Sequence, residues 1–139
     1  MSQQAISILD LSCLASAAVA QYRGVDFNDV QIAAAGAKIK GIAKRPAAIG
    51  EPFEAVTYGT ATCEAGAAIA KGVAVTMDNQ GRVVAATAVA IAAGATAVTS
   101  AAANGANAIT GGDLPQFIVG HALEAAAGAG AFIEVLLSR

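Results

Sequence analysis

Residues 71 to 86, KGVAVTMDNQGRVVAA, constrain the fold more than any other stretch of the 139. Val73, Val75 and Met77 alternate with Ala74, Thr76 and Asp78, the two-residue rhythm of a strand with one buried face. Asp78-Asn79-Gln80-Gly81 then supplies turn chemistry, with Gly81 free to take positive φ. Val83, Ala85, Thr87, Val89 and Ile91 resume the alternation. The spacing predicts a β-hairpin.

A second constraint appears when the chain is slid along itself by 79 residues. IKGIAKRPAAIGEPFEAV (39 to 56) then falls on IVGHALEAAAGAGAFIEV (118 to 135). Identities occur at Ile39/Ile118, Gly41/Gly120, Ala43/Ala122, Ala47/Ala126, Ala48/Ala127, Phe53/Phe132 and Val56/Val135. The alanine matches carry little information in this composition. Both copies nevertheless read Ile-x-Gly-x-Ala, a link of small residues, then Phe-x-x-Val. The first link holds Pro46, with Pro52 just beyond it, and a continuous helix does not accommodate two prolines there. ALEAAA (122 to 127), a strong helix-forming run by propensity, is therefore expected to make a helical turn at most. Strands are expected on both sides, with Ile133, Val135 and Leu137 on one face.

Between these regions the run from residue 87 to 112 alternates Ala with Val, Ile or Thr and is broken by glycines, which suits short β segments. The first 35 residues allow two readings. Ile6, Leu9, Cys13, Ala17 and Ala20 follow helical spacing, while VDFNDVQI (25 to 32) reads as an extended arm. The expected fold is a small, mainly β single domain. It is a β-barrel or β-sandwich of short antiparallel strands over residues 31–139, preceded by an extended or partly helical arm over residues 1–30.

Small side chains dominate: 38 residues are Ala and 15 are Gly, while aromatics make up 4% and Trp is absent. Burial contributes about 25 cal/mol per Å² of apolar surface, so an alanine-built core is shallow, and self-association is its natural supplement. Charged residues are 13%, against about 25% in ordinary soluble domains. A net charge of −2 argues against a nucleic-acid partner, which calls for a basic surplus. Residues 5 to 20 end in Ala-Val-Ala but lack a basic start and contain Asp10, unlike a secretory signal. Residues 83 to 103 carry no charge, yet the run is mostly Ala with three Thr and a Gly, too weakly apolar to drive membrane insertion. A soluble intracellular product is expected.

No catalytic constellation stands out. His121 lies within apolar IVGHAL and has no cluster of Cys, Asp or Glu at metal-ligand spacing around it; a structural histidine is expected. The ten acids are strung out singly. No phosphate-loop or dinucleotide-binding pattern occurs among the glycines. Lys71 precedes a strand instead of occupying the tip of the hairpin, where a lipoyl-type lysine would sit; it is expected to be solvated. Cys13 and Cys63 lie 50 residues apart without CxxC spacing; one disulfide is compatible with them, and two small buried hydrophobes fit better. Lys38, Lys40, Lys44 and Arg45 form the one cluster of charge, readable as a solvated edge or as a docking patch. No cofactor and no metal are expected, and the chain reads as a non-enzyme.

Four stretches in this order carry a family resemblance: AVAQYRGV (18 to 25), AKIKGIAKRPAAIGEPFEAVTYG (37 to 59), CEAGAAIAKGVAVTMDNQGRVVAA (63 to 86) and FIVGHALEAAAGAGAFIEVLL (117 to 137). Together they resemble the capsid cement, or head decoration, proteins of tailed bacteriophages. The matching positions begin with Tyr22, Arg23 and Val25, then Ile39, Gly41, Ala43, Gly50 and Glu51. Gly66, Ile69 and Gly72 follow, then Gly81, Arg82 and Val83. The closing strands match at Gly120, Ala122, Leu123 and Glu124, and at Ile133, Val135, Leu136 and Leu137. Gly24 stands where the pattern has a larger apolar residue, and the run from 87 to 112 is longer than the pattern expects.

The resemblance implies a mainly β, commonly trimeric protein. It would be made in the host cytoplasm and seated on the outer capsid surface of the virion, clamping neighbouring major capsid protein subunits. Tyr22, Arg23, Lys38, Lys40, Lys44 and Arg45 are the candidate partner-binding residues, and the arm over residues 1–30 is a candidate for reaching a neighbour. A tail or fibre component of a phage is the alternative.

Overall fold

The structure, a computed structural model, describes residues 5–87 and 116–138. Among these residues eight strands make one antiparallel sheet: β1 (Ser7–Leu14), β2 (Gly24–Val25), β3 (Gly41–Ala43), β4 (Pro52–Glu64), β5 (Ala74–Met77), β6 (Val83–Ala85), β7 (Gly120–Ala122) and β8 (Phe132–Leu137). Their order is β2-β3-β4-β8-β7-β5-β6, with β1 added to β4. The two ends of this path meet. The Gly24 amide donates to the Gly81 carbonyl (2.7 Å), and that of Gly66 donates to Val83 (2.8 Å), so the sheet nearly closes into a barrel. Of the two expected architectures, the barrel is the one formed.

The hairpin forms as expected. Met77 pairs with Val83 and Val75 with Ala85. Asp78 Oδ1 accepts the amides of Gln80 (2.8 Å) and Arg82 (2.9 Å), and Gly81 takes φ 72°. Val89 and Ile91, and nearly all of the 87–112 run, lie outside the described residues. The C-terminal stretch also resolves towards strand: β7 and β8 flank an isolated bridge at Ala126, and Ile133, Val135 and Leu137 are all buried. The helical spacing of Ile6, Leu9, Cys13, Ala17 and Ala20 does not produce a helix. The edge of β4 from Pro52 to Gly59 instead captures Ser7 to Leu14 as β1, leaving Leu9 exposed and Cys13 buried.

The fold is an internal duplication more extensive than the 79-residue offset. A corner built the same way occurs four times among the described residues: strand, two-residue bend, single bridging residue, turn, strand. The bridging residues pair as Val19 with Ala47 and Ile69 with Ala126. Cys13–Val25 (CLASAAVAQYRGV) superposes on Cys63–Val75 (CEAGAAIAKGVAV), an offset of 50. The amide of Tyr22 donates to Ala43 (2.8 Å) as that of Gly72 does to Ala122 (2.7 Å), and Gly50 donates to Ala15 (2.7 Å) as Gly130 does to Ala65 (2.8 Å). Tyr22 and Gly72 both hold positive φ, 62° and 83°. Asp26 caps its turn as Asp78 does, accepting the amides of Asn28 and Val30. The corners also explain the alanine. Each bridging side chain is buried, and its alanine neighbours are exposed.

One sequence equivalence shifts. The second link, between Ala126 and Gly130, holds one residue more than the first, between Ala47 and Gly50. Beyond it the structural offset is 80. Phe53, buried, is therefore matched by buried Ile133, and Phe132 is exposed; the Phe53/Phe132 and Val56/Val135 identities are not structural equivalents.

The core has two parts. The larger gathers Val, Ile and Leu side chains around Met77 and Cys63. The smaller contains Cys13, Ala15, Val19, Val25, Ala43, Ala47, Phe53 and Ala55, so residues before 31 supply half of it. Both cysteines are buried and free, as two small hydrophobes would be. Burial pushes both thiols up, Cys63 the furthest, which leaves them unreactive.

Candidate functional site

The cationic residues singled out in the sequence come together only in part, and most are engaged internally. Arg23, entering β2, is an internal brace. Its Nε and Nη2 reach Glu64 Oε2 at 2.8 and 2.7 Å, and its Nη1 donates to the Gln80 carbonyl at 2.8 Å. It thereby joins β2, the end of β4 and the hairpin turn where the barrel closes. The left-handed backbone at Tyr22 turns its ring edge-on to Phe132, with centroids 5.4 Å apart. Replacing Arg23 by Ala strands the mostly buried Glu64 carboxylate, and the expected cost is about 1–2 kcal/mol, read as a lower urea midpoint with unchanged slope.

Lys40 pairs with Asp29, Lys44 with Asp10 at 2.8 Å and Arg45 with Glu54 at 2.9 Å. Lys38 and Lys40 lie just before β3. Among the described residues Lys38 has no carboxylate partner, and its ammonium sits 5.5 Å from the centroid of the Phe27 ring. Lys71 is exposed in the turn before β5, as expected.

Asp29 matters more than its isolated place in the sequence suggests. Besides Lys40, its Oδ2 accepts the Leu14 amide (3.4 Å) and its carbonyl accepts the Ser16 amide (3.2 Å), so it pins the end of β1 to the body of the fold. Burial pushes its carboxyl up, but hydrogen bonds from Lys40, Cys13 and Leu14 outweigh this and hold it below the ordinary value. A depressed carboxylate contributes stability above its unfolded pKa and loses it as pH falls through the folded one. Amides of β1 are therefore expected to lose exchange protection below about pH 4, before those of β8, and Asp29→Asn should remove the pH dependence of that difference.

The feature the charge pattern missed is β1 itself. Its only strand partner among the described residues is β4, and the register slips on either side of Leu9. Ile6, Ile8, Leu9, Leu11 and Leu14 are all exposed, Ile8 at 70%, and Tyr58, opposite Leu9, is exposed too. An apolar strand with one unpaired edge is a template for another chain. The signal was present as SILDLSCL, but two competing periodicities hid it.

His121 is exposed on β7, opposite Leu136 and Ala74, so it is a surface residue and not the packed structural histidine expected. Among the described residues no three His, Cys, Asp or Glu side chains could hold a metal ion, and no helix is long and apolar enough to cross a membrane. The membrane-length run from 83 to 103 lies mostly outside the described residues.

Comparison with known proteins sets these surfaces in context. A family model described as phage cement protein matches residues 2–112. Among curated proteins, no sequence match reaches significance. The fold is similar to the crystal structure of the head fiber gp8.5 N base of bacteriophage phi29, with a TM-score of 0.60 and 17% identity, covering 94% of this chain and 93% of that one.

Proposed function

The chain belongs to the phage cement protein family, and from that premise we propose that this phage structural protein is a head decoration protein. It binds the outer surface of an icosahedral shell as a homotrimer and bridges major capsid protein subunits, without catalysis. The observation that carries the reading is the apolar β1, paired among the described residues with β4 alone. Exposed apolar area of this kind marks an interaction surface, and an open strand edge accepts a strand from a partner. Within the segment 1–30, β1 is thus the element suited to reaching a neighbour. Tyr22, Arg23, Lys40, Lys44 and Arg45 serve this reading chiefly by holding β1, β2 and β4 in place; Lys38 is the member of the set left to meet a partner.

The mechanism is linkage. A protein that binds only the assembled lattice stabilises it by RT ln(1 + [L]/Kd). Three chains held together raise one another's effective concentration at the lattice, so modest contacts sum to tight attachment. Synthesis in the host cytoplasm followed by attachment to completed shells fits this order of events.

A fibre base is the second reading, favoured by the fold shared with the phi29 head fiber N base. The experiment is co-sedimentation with mature shells that lack the protein, alongside light scattering of the free protein. The wild type should be trimeric and co-sediment, whereas Leu9→Lys combined with Leu11→Lys should keep its far-UV circular dichroism and stay in the supernatant. Equal binding by that variant would refute the role of β1, and failure of the wild type to bind shells would refute the decoration reading.

A further inference from the structure

The internal duplication places one cleft where its two halves face each other. Residues 38–40 lead into β3 as residues 117–119 lead into β7, at the offset of 79. Between these two segments, with Phe27 as the remaining wall, lies a cleft of about 340 Å³. Ile39 and Val119 are buried at its base, while Phe27 (58% exposed), Phe117 (52%) and Ile118 (45%) leave apolar surface open to solvent. The Phe117 amide donates to the Gly36 carbonyl (3.0 Å), and its carbonyl accepts the Thr76 hydroxyl (2.9 Å). That backbone is therefore fixed, and the side chains are presented on a rigid frame.

Charge gives the cleft its selectivity. Arg23, Lys40, Lys44, Arg45 and Arg82 each hold a carboxylate of the same chain. Lys38, at the rim, holds none among the described residues and leans over Phe27. A cation over an aromatic face keeps its outward donors free. One ammonium beside an apolar slot matches a carboxylate adjacent to an apolar side chain. It does not match a phosphate backbone, which calls for several basic groups in a row. A cleft of this volume is at the small end of ligand sites, enough for one or two side chains.

We propose that this cleft binds an acidic peptide segment of a partner protein, with an aromatic or branched apolar side chain in the slot and the neighbouring carboxylate on Lys38. The inference does not depend on the decoration reading, because it is tested on the free protein without shells. The probe is a fluorescein-labelled Gly-Asp-Phe-Asp-Gly peptide, followed by anisotropy at low salt, against a twin with Asn for both Asp. The Asp peptide should bind about twofold to fivefold more tightly than its twin, and the difference should shrink as salt rises. Lys38→Gln, at an exposed position, should abolish the difference, and Phe117→Ser should weaken both peptides. Equal affinity for the two peptides, or no binding at millimolar concentration by folded protein, would overturn the proposal. So would a change in light-scattering mass on Phe117→Ser, because a second copy of this chain would then be the occupant.

Discussion

Gly120→Ala should be among the most damaging single-methyl additions this chain can receive. A Cβ at Gly120 would stand 2.0 Å from the Leu136 carbonyl oxygen, and one at Gly41 would stand 2.6 Å from that of Val56. The obstacle in each case is backbone of the paired strand, which no side-chain rotation relieves. Gly41 and Gly120 occupy the same place in the two halves of the duplication, and so do Val56 and Leu136 at the later offset of 80. The close approach is therefore a built feature repeated twice. Overpacking costs typically about 1–3 kcal/mol. Gly120→Ala should reach or exceed the top of that range and Gly41→Ala should fall within it, both measured by chemical denaturation. The double variant should lose a large part of the folding free energy, since small-domain stability is only about 5–15 kcal/mol in total.

Phe53→Ala should have an effect of similar size by the opposite route. Phe53 is 1% exposed and is the one large side chain in a cluster otherwise made of Ala, Val and Cys. Removing a buried Phe side chain costs about 3–5 kcal/mol, the higher values arising where neighbours cannot close the cavity. Alanines cannot extend into a void, and their positions are set by the strands, so the upper half of the range is expected. Phe53 also pairs with Cys13 across β1 and β4. Its loss should therefore unfasten β1 along with the cluster, visible as a lower thermal midpoint and an early loss of exchange protection in Cys13 and Leu14. Phe53→Leu, which refills most of the volume, should cost less than half as much.

The two readings most secure in the sequence rested on turn chemistry. Asp78 to Gly81 located the hairpin to the residue, because an Asx-capped turn closing on a glycine has few alternatives. Pro46 and Pro52 ruled a helix out of the first copy and, by likeness, out of ALEAAA. Alanine hid the rest. The 50-residue repeat runs from Cys13 and Cys63 to Val25 and Val75, but its matches are mostly Ala, and in this composition such matches are cheap. One extra residue before Gly130 displaced the apparent Phe53/Phe132 match by a position, and only strand register reveals that. The charge cluster was legible as residues but not as roles. Arg23, Lys40, Lys44 and Arg45 find carboxylates from 9 to 41 positions away in the chain, and sequence spacing carries no trace of those pairings. The exposure of β1 was illegible for a similar reason: an apolar strand reads as core until its pairing with β4 is known.

The central claim is that this thin barrel does its work by completing a lattice, and the heat stability of the shell tests it most directly. Scanning calorimetry of mature shells without the protein, with it, and with the Leu9→Lys, Leu11→Lys variant would compare three transitions under one condition. The account predicts an upward shift of the shell transition that saturates with added wild-type protein and is absent with the variant. A shell transition that stays put while wild-type protein is demonstrably bound would contradict it.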